Sequence, residues 1–190
     1  MLVPRLADPT EVLERVRRDA QRAALRARNG LRHLSGVGHV GVGLSSRDEV
    51  WSRDNVRMYR YASEGRTLSP PVMLVMSLVT KPYVFDLRPG SSLVERMVGR
   101  GLDVFLVDWG VPDVVESANT LESYCDEYLP RAAQAAMTVA GCDDINVFGY
   151  CLGGVLSLLF VAGHPELPVR NLAVQATPVD FRDLSPAVTL

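Results

Sequence analysis

The feature that most constrains the fold is the stretch Asn146-Val147-Phe148-Gly149-Tyr150-Cys151-Leu152-Gly153-Gly154, where an apolar run meets a glycine-flanked cysteine and a second apolar run, Leu152 to Ala162, starts at once. A strand that becomes a helix across one residue forces that residue into strained dihedrals, and the positions two before and two after it have little room for side chains. Gly149 and Gly153 meet that demand, and Gly154 further lets the helix approach the sheet closely. The bend would hold the Cys151 sulfur over the C-terminal edge of the strands, where open α/β sheets take their ligands. There it faces a helix N-terminus, whose unpaired N–H groups favour negative charge. The Leu152 N–H is then placed to donate to an oxyanion. A second backbone donor is expected from Val79 to Lys81, centred on Thr80. The competing reading, a tight turn around an inert buried cysteine, fits the Gly-x-Cys-x-Gly-Gly string alone better than it fits the strand-to-helix setting, and stays open beside the first.

The rest of the chain supplies the sheet that such an elbow needs. Val56 to Tyr61 is a half-polar strand toward the sheet edge, and Val72 to Val79, introduced by Pro70-Pro71, is a central strand buried on both faces. Ser91 or Ser92 caps a helix running to about Arg100, with Leu93, Met97 and Val98 inward and Gly101 as its stop. Val104 to Val107, a helix from about Thr120 to Val139, Ile145 to Phe148, Leu152 to Ala162 and Leu172 to Ala176 continue the alternation of strand and helix. That order predicts an α/β fold with a mostly parallel, α/β-hydrolase-like sheet, ending after the strand that follows the nucleophile helix. Ahead of it, Val12, Val16, Ala20, Ala23, Ala27, Leu31 and Leu34 recur at steps of three or four, an amphipathic helix whose apolar face docks on its own domain or on a partner. Ser35 to Ser46 reads as a glycine-rich loop. The expected organisation is therefore residues 1–48 as helix and loop, and 49–190 as an incomplete hydrolase-like core.

Charge and composition close off other classes. The net charge of −2 conceals a basic head, with 12 arginines against 7 carboxylates in residues 1–60 and 8 basic against 15 acidic residues thereafter. That head lacks the aromatic interleaving and reading motifs of a nucleic-acid binder. No apolar run reaches the roughly 18 residues of a membrane span, and the Arg-rich start has no apolar core of the kind that directs secretion. The three cysteines, at 125, 142 and 151, have no metal-ligand spacing, and Cys125 and Cys142 read as structural; a reducing cytoplasm fits them. Both glycine-rich nucleotide signatures are absent, so neither a cofactor nor a metal is expected.

Five stretches in register, over roughly residues 50–182, resemble the poly(3-hydroxyalkanoate) synthases, cysteine-dependent polymerases of the α/β-hydrolase fold. They are Val56 to Tyr61, Lys81 to Leu87, Gly101 to Gly110, the box Gly149 to Gly154, and Thr177-Pro178-Val179-Asp180-Phe181. The short head is similar to the smaller catalytic subunits that work with a separate accessory subunit. The resemblance implies transfer of a 3-hydroxyacyl group from coenzyme A to a cysteine and then to a growing polyester. Cys151 matches the nucleophile; 3-hydroxyacyl-CoA and polyester would be its substrates, an accessory synthase subunit or a second copy its partner, and the cytoplasm or a polyester-granule surface its place. The chain departs from the family at Thr80 for Asn, Lys81 for Arg and Leu152 for Gln.

A cysteine of this type works with a histidine base and an orienting acid that follow it in the chain. The histidines here are His33, His39 and His164, and His164 falls at the far end of the helix that the elbow opens, some 13 residues or about 19 Å away. Asp180 and Asp183 come too early to supply the acid. The residues therefore read as the N-terminal half of a longer enzyme, inactive alone. Two other classes remain open: a cysteine-dependent esterase, which would share the elbow but not the Asp-Trp-Gly and Pro-Tyr motifs, and a noncatalytic partner of a synthase.

Overall fold

A computed structural model describes residues 9–34, 41–61, 65 and 68–180. The chain forms two compact units, Met1–Gly41 and Val42–Leu190. In the first, α1 spans Pro9–Leu34, and Glu14 and residues 17–31 are all exposed. In the second, Gly43 N–H donates to the Asp86 carbonyl at 2.7 Å, and the Ser45 hydroxyl to the Asp86 carboxylate at 2.6 Å.

The core unit is a six-stranded sheet in the order β1-β2-β4-β3-β5-β6. The strands are β1 (Asp48–Arg53), β2 (Val56–Tyr61), β3 (Val72–Val75), β4 (Val104–Asp108), β5 (Ile145–Tyr150) and β6 (Val169–Gln175). β1 and β2 form a hairpin, β2 is antiparallel to β4, and the remaining pairs are parallel. Three helices cover the sheet: α2 (Leu93–Val98), α3 (Leu129–Ala140) and α4 (Leu152–Gly163). Alternate residues of the buried strands feed two cores. Met73, Val75, Phe105, Val107 and Val147 pack with α3 and α4, while Val72, Leu74, Val104 and Leu106 pack with Phe85 and with Val94 of α2. Each such side chain contributes about 1.5–3 kcal/mol by leaving water, so both faces of β3 and β4 are fixed and their register with them.

Several expectations shift. Val56–Tyr61 lies toward the edge, one strand in: the polar segment Asp48–Arg53, which lacks a period-two apolar pattern, pairs with it and takes the edge itself. β3 stops at Val75 instead of Val79, because Met76 gives its carbonyl to the Trp109 indole N–H at 2.9 Å and Ser77 to Thr80 form a turn. Ser92 caps α2 as expected, accepting from the Glu95 N–H, yet Val94 is the buried residue and Leu93 is exposed. The helix before β5 has a π-helical stretch at Ser123–Tyr128 and leaves Leu121 exposed. Among the described residues, no helix is long and apolar enough to cross a membrane.

Candidate active site at the Cys151 elbow

β3 lies between β4 and β5, so the chain leaves β3 toward one side of the sheet and later returns on the other. The crevice beyond the C-terminal ends of β3 and β5 is the switch point at which open α/β sheets place their ligands. Cys151 stands there, half-buried, between the last residue of β5 and the first of α4. Its φ of 54° and ψ of −126° lie in a region that residues with a Cβ rarely adopt. The surroundings hold it there: Cys151 N–H donates to the Gln175 carbonyl at the end of β6, and Gly154 N–H donates back to the Cys151 carbonyl, both at 2.9 Å.

The three glycines each have a separate steric reason. A Cβ on Gly149 would lie 2.5 Å from the Gly154 Cα and 2.8 Å from the Ser157 hydroxyl. One on Gly153 would run into the carbonyl oxygens of Val75 and Met76, so the first turn of α4 rests directly on the end of β3. Gly154 serves a different contact from the one the sequence suggests. It makes room for Thr177, whose Cβ and Cγ2 would both stand 2.9 Å from an added methyl. The Thr177-Pro178 motif is thereby part of the elbow, while Phe181 and Asp183 lie outside the described residues.

The loop after β3 does approach the first turn of α4, through Gly153. Leu152 opens α4, so its N–H belongs to the first-turn amides that have no acceptor within the helix. Thr80 is placed differently from the expectation: its N–H is engaged by the Ser77 carbonyl at 3.2 Å, while the neighbouring Val79 N–H makes only a long 3.5 Å contact with the Ser77 hydroxyl. The loop is fixed from the β4 side. Trp109 holds the Met76 carbonyl, Lys81 Nζ donates to the Gly110 carbonyl at 3.2 Å, and Gly110, at φ 72°, sits so close to the Asn55 carbonyl that no Cβ fits. Phe85 packs edge-on against Phe148 and Tyr150, with ring centres 5.9 and 5.6 Å apart, bringing the Lys81–Leu87 segment against the strand that leads to Cys151.

The other cysteines sit elsewhere. Cys125 is buried with its thiol toward the Leu156 carbonyl, and burial, with the nearby Asp126 and Glu122 charges, pushes it up to about 11. Cys142 lines an open depression of about 560 Å³ with Gln134, Met137 and Thr138, ahead of β5 and thus at the opposite end of that strand from Cys151. His164 caps the C-terminal end of α4 between Asp126 (3.1 Å) and Glu166 (3.0 Å). His33 is on α1, and His39 lies outside the described residues.

A mixed, mostly parallel sheet with helices on both faces and a strained strand-to-helix elbow after its fifth strand defines the α/β-hydrolase fold. Solved structures agree. The chain resembles the Francisella virulence factor BioJ (TM-score 0.56, 12% identity, covering 78% of this chain and 49% of that one) and epoxide hydrolase A from Mycobacterium thermoresistibile (0.51, 16%, 76% and 43%). No family model matches. Within the fold class, the chain is related to the poly(3-hydroxyalkanoate) polymerases. It is 36% identical over 156 residues to the polymerase subunit PhaC of Allochromatium vinosum, covering 80% of this chain and 44% of that protein. It shares the same identity with that of Synechocystis sp. (80% and 41%) and 34% with that of Haloferax mediterranei (77% and 30%). The chain thus spans less than half the length of these curated relatives.

Proposed function

We propose that the chain carries the nucleophile-bearing part of a poly(3-hydroxyalkanoate) polymerase. The supporting observation is the strained, half-buried Cys151 at the sheet's switch point, in a chain with this kinship. The Cys151 sulfur attacks the carbonyl carbon of a 3-hydroxyacyl-CoA; the carbon–sulfur bond to coenzyme A breaks, and coenzyme A leaves as a thiolate that takes up a proton. The hydroxyl of a growing polyester then attacks the acyl-cysteine, an ester bond forms as the carbon–sulfur bond breaks, and the hydroxyl proton goes to the departing Cys151 sulfur, restoring the thiol. Exchanging one thioester for another keeps the acyl group activated, which suits a thiol better than an alcohol. Negative charge developing on the carbonyl oxygen meets the Leu152 N–H and an N–H of the Val79–Lys81 loop. In that loop Val79 is a better donor than Thr80, whose N–H is already engaged. A cysteine of this type works with a histidine base and an orienting acid; His164 stands at the far end of α4 from Cys151 and does not supply that base. An accessory subunit or second copy as partner, and a cytoplasmic or granule-surface location, follow from the same reading.

The test is incubation with 3-hydroxybutyryl-CoA followed by intact-mass measurement and peptide mapping. A single stoichiometric 3-hydroxybutyryl adduct on Cys151, formed by thioester exchange without the turnover that needs the histidine base, is expected, absent in Cys151→Ala and unaffected in Cys125→Ser. An adduct confined to Cys125 or Cys142, or coenzyme A release undiminished in Cys151→Ala, would overturn the assignment.

A further inference from the structure

Across residues 17–31 every side chain is exposed, and five arginines stand against one carboxylate, Asp19. Helical register places Ala20, Ala23, Ala27 and Leu31 on one arc about 80° wide, Leu31 being 72% exposed. Arg17 and Arg28 border that arc on one side and Arg26, beside Asp19, on the other, while Arg22 and Arg18, the latter paired with Glu14 at 3.7 Å, lie toward the opposite face. Cations on both flanks of an apolar arc, with low overall hydrophobicity, mark a helix that lies in a lipid interface. Its apolar side enters the acyl boundary, and its long cationic side chains reach the headgroups.

We propose that α1 binds anionic phospholipid surfaces, lying flat with the Ala20–Leu31 arc inward. Charge complementarity selects this occupant. A second copy of α1 would bring arginine against arginine, and a nucleic acid would leave the apolar arc without a partner. The shallow, alanine-rich arc makes burial alone weak, so the arginines carry most of the attraction, and binding falls as salt rises.

The full chain is mixed with vesicles of equal parts phosphatidylglycerol and phosphatidylcholine, or of phosphatidylcholine alone, and floated through a density gradient. The expected result is recovery with the anionic vesicles only, abolished by high salt. Replacing Arg17, Arg22, Arg26 and Arg28 together by Gln, a residue that keeps the helix, weakens it more than tenfold, and Leu31→Gln weakens it severalfold. Circular dichroism verifies that both variants stay helical. Equal flotation with neutral vesicles, no flotation with either kind, or binding unchanged in the four-arginine variant would each overturn the proposal. So would a concentration-dependent dimer, lost in that variant, that excludes vesicle binding. Acyl transfer is not read, so the outcome is independent of the role given to Cys151.

Discussion

At the residue scale, the elbow glycines separate into those that face rigid backbone and one that faces a side chain. Gly153→Ala presses a methyl onto the Val75 and Met76 carbonyls at the end of a fully buried strand that cannot retreat, and it should lower stability by about 3 kcal/mol, read as a shift of the urea midpoint. Gly154→Ala meets Thr177 instead, so Thr177→Ala should partly rescue it, with a coupling of about 1 kcal/mol in a double-mutant cycle. An equal penalty in both backgrounds would remove Thr177 from the elbow. The spacing of Gly149 and Gly153 was readable in the sequence because a sharp bend makes a local demand two residues to either side. The partner of Gly154 was not readable, since Thr177 comes only after a whole helix and strand. Thr80 shows the same limit: which amide of a short loop remains available depends on the turn that forms there, and Ser77 decides it. Thiol chemistry adds a further outcome. With Cys125 held near 11 by burial, iodoacetamide at pH 8 should label Cys151 well ahead of Cys125, as followed by peptide mass spectrometry.

Elements are joined at their ends by a few polar contacts, and these carry the pH dependence. His164 ties the end of α4 to the π-helical stretch through Asp126 and to the following turn through Glu166. Burial opposes its protonation, but the hydrogen bonds and charges of Glu166 and Asp126 outweigh that and hold its pKa above the ordinary 6.5. A pKa raised on folding means that the contribution is complete below 6.5 and disappears as pH rises through the folded value. The urea midpoints of the parent and His164→Gln should therefore differ more at pH 5.5, where Glu166, whose own pKa is lowered, is still ionised, than at pH 8.5. A difference independent of pH would assign His164 a packing role only. On the other side of the sheet, Arg60 on β2 makes two hydrogen bonds, 2.9 and 2.7 Å, to the buried Asp103 just ahead of β4. Arg60→Met should lower stability by about 2 kcal/mol, since charged hydrogen bonds to a buried carboxylate are lost. Neither contact was legible beforehand, for both join residues some 40 positions apart. β1 escaped the sequence for a related reason. Its pairing with β2 and a turn at Asp54, φ 53°, make it a strand without any apolar alternation of its own.

For the whole molecule, the alternation of buried strands and amphipathic helices was enough to set the sheet class, because β3 and β4 are apolar on both faces and admit no other placement. The strand order, and the antiparallel start that goes with it, needed long-range pairing to appear. That order leaves β6 at an edge of the described sheet, paired only with β5, with Val174 41% exposed and, on the neighbouring α4, Leu158 at 37% and Leu159 at 45%. An edge strand offers unpaired N–H and C=O groups to any other chain, and apolar side chains beside it reward the contact; proteins usually blunt such edges with charge or cover them. β6 has Arg170 at its start, already paired with Asp144, and no charge over its last five residues. The 190-residue chain should therefore self-associate in the micromolar range, seen as a rising mean mass in sedimentation or light scattering. Val174→Lys, or Leu159→Lys should the strand tolerate no charge, should return it toward the 20.8 kDa monomer without changing the far-ultraviolet spectrum. If neither lysine shifts the mass while removing residues 1–34 does, association belongs to α1 and not to the sheet edge.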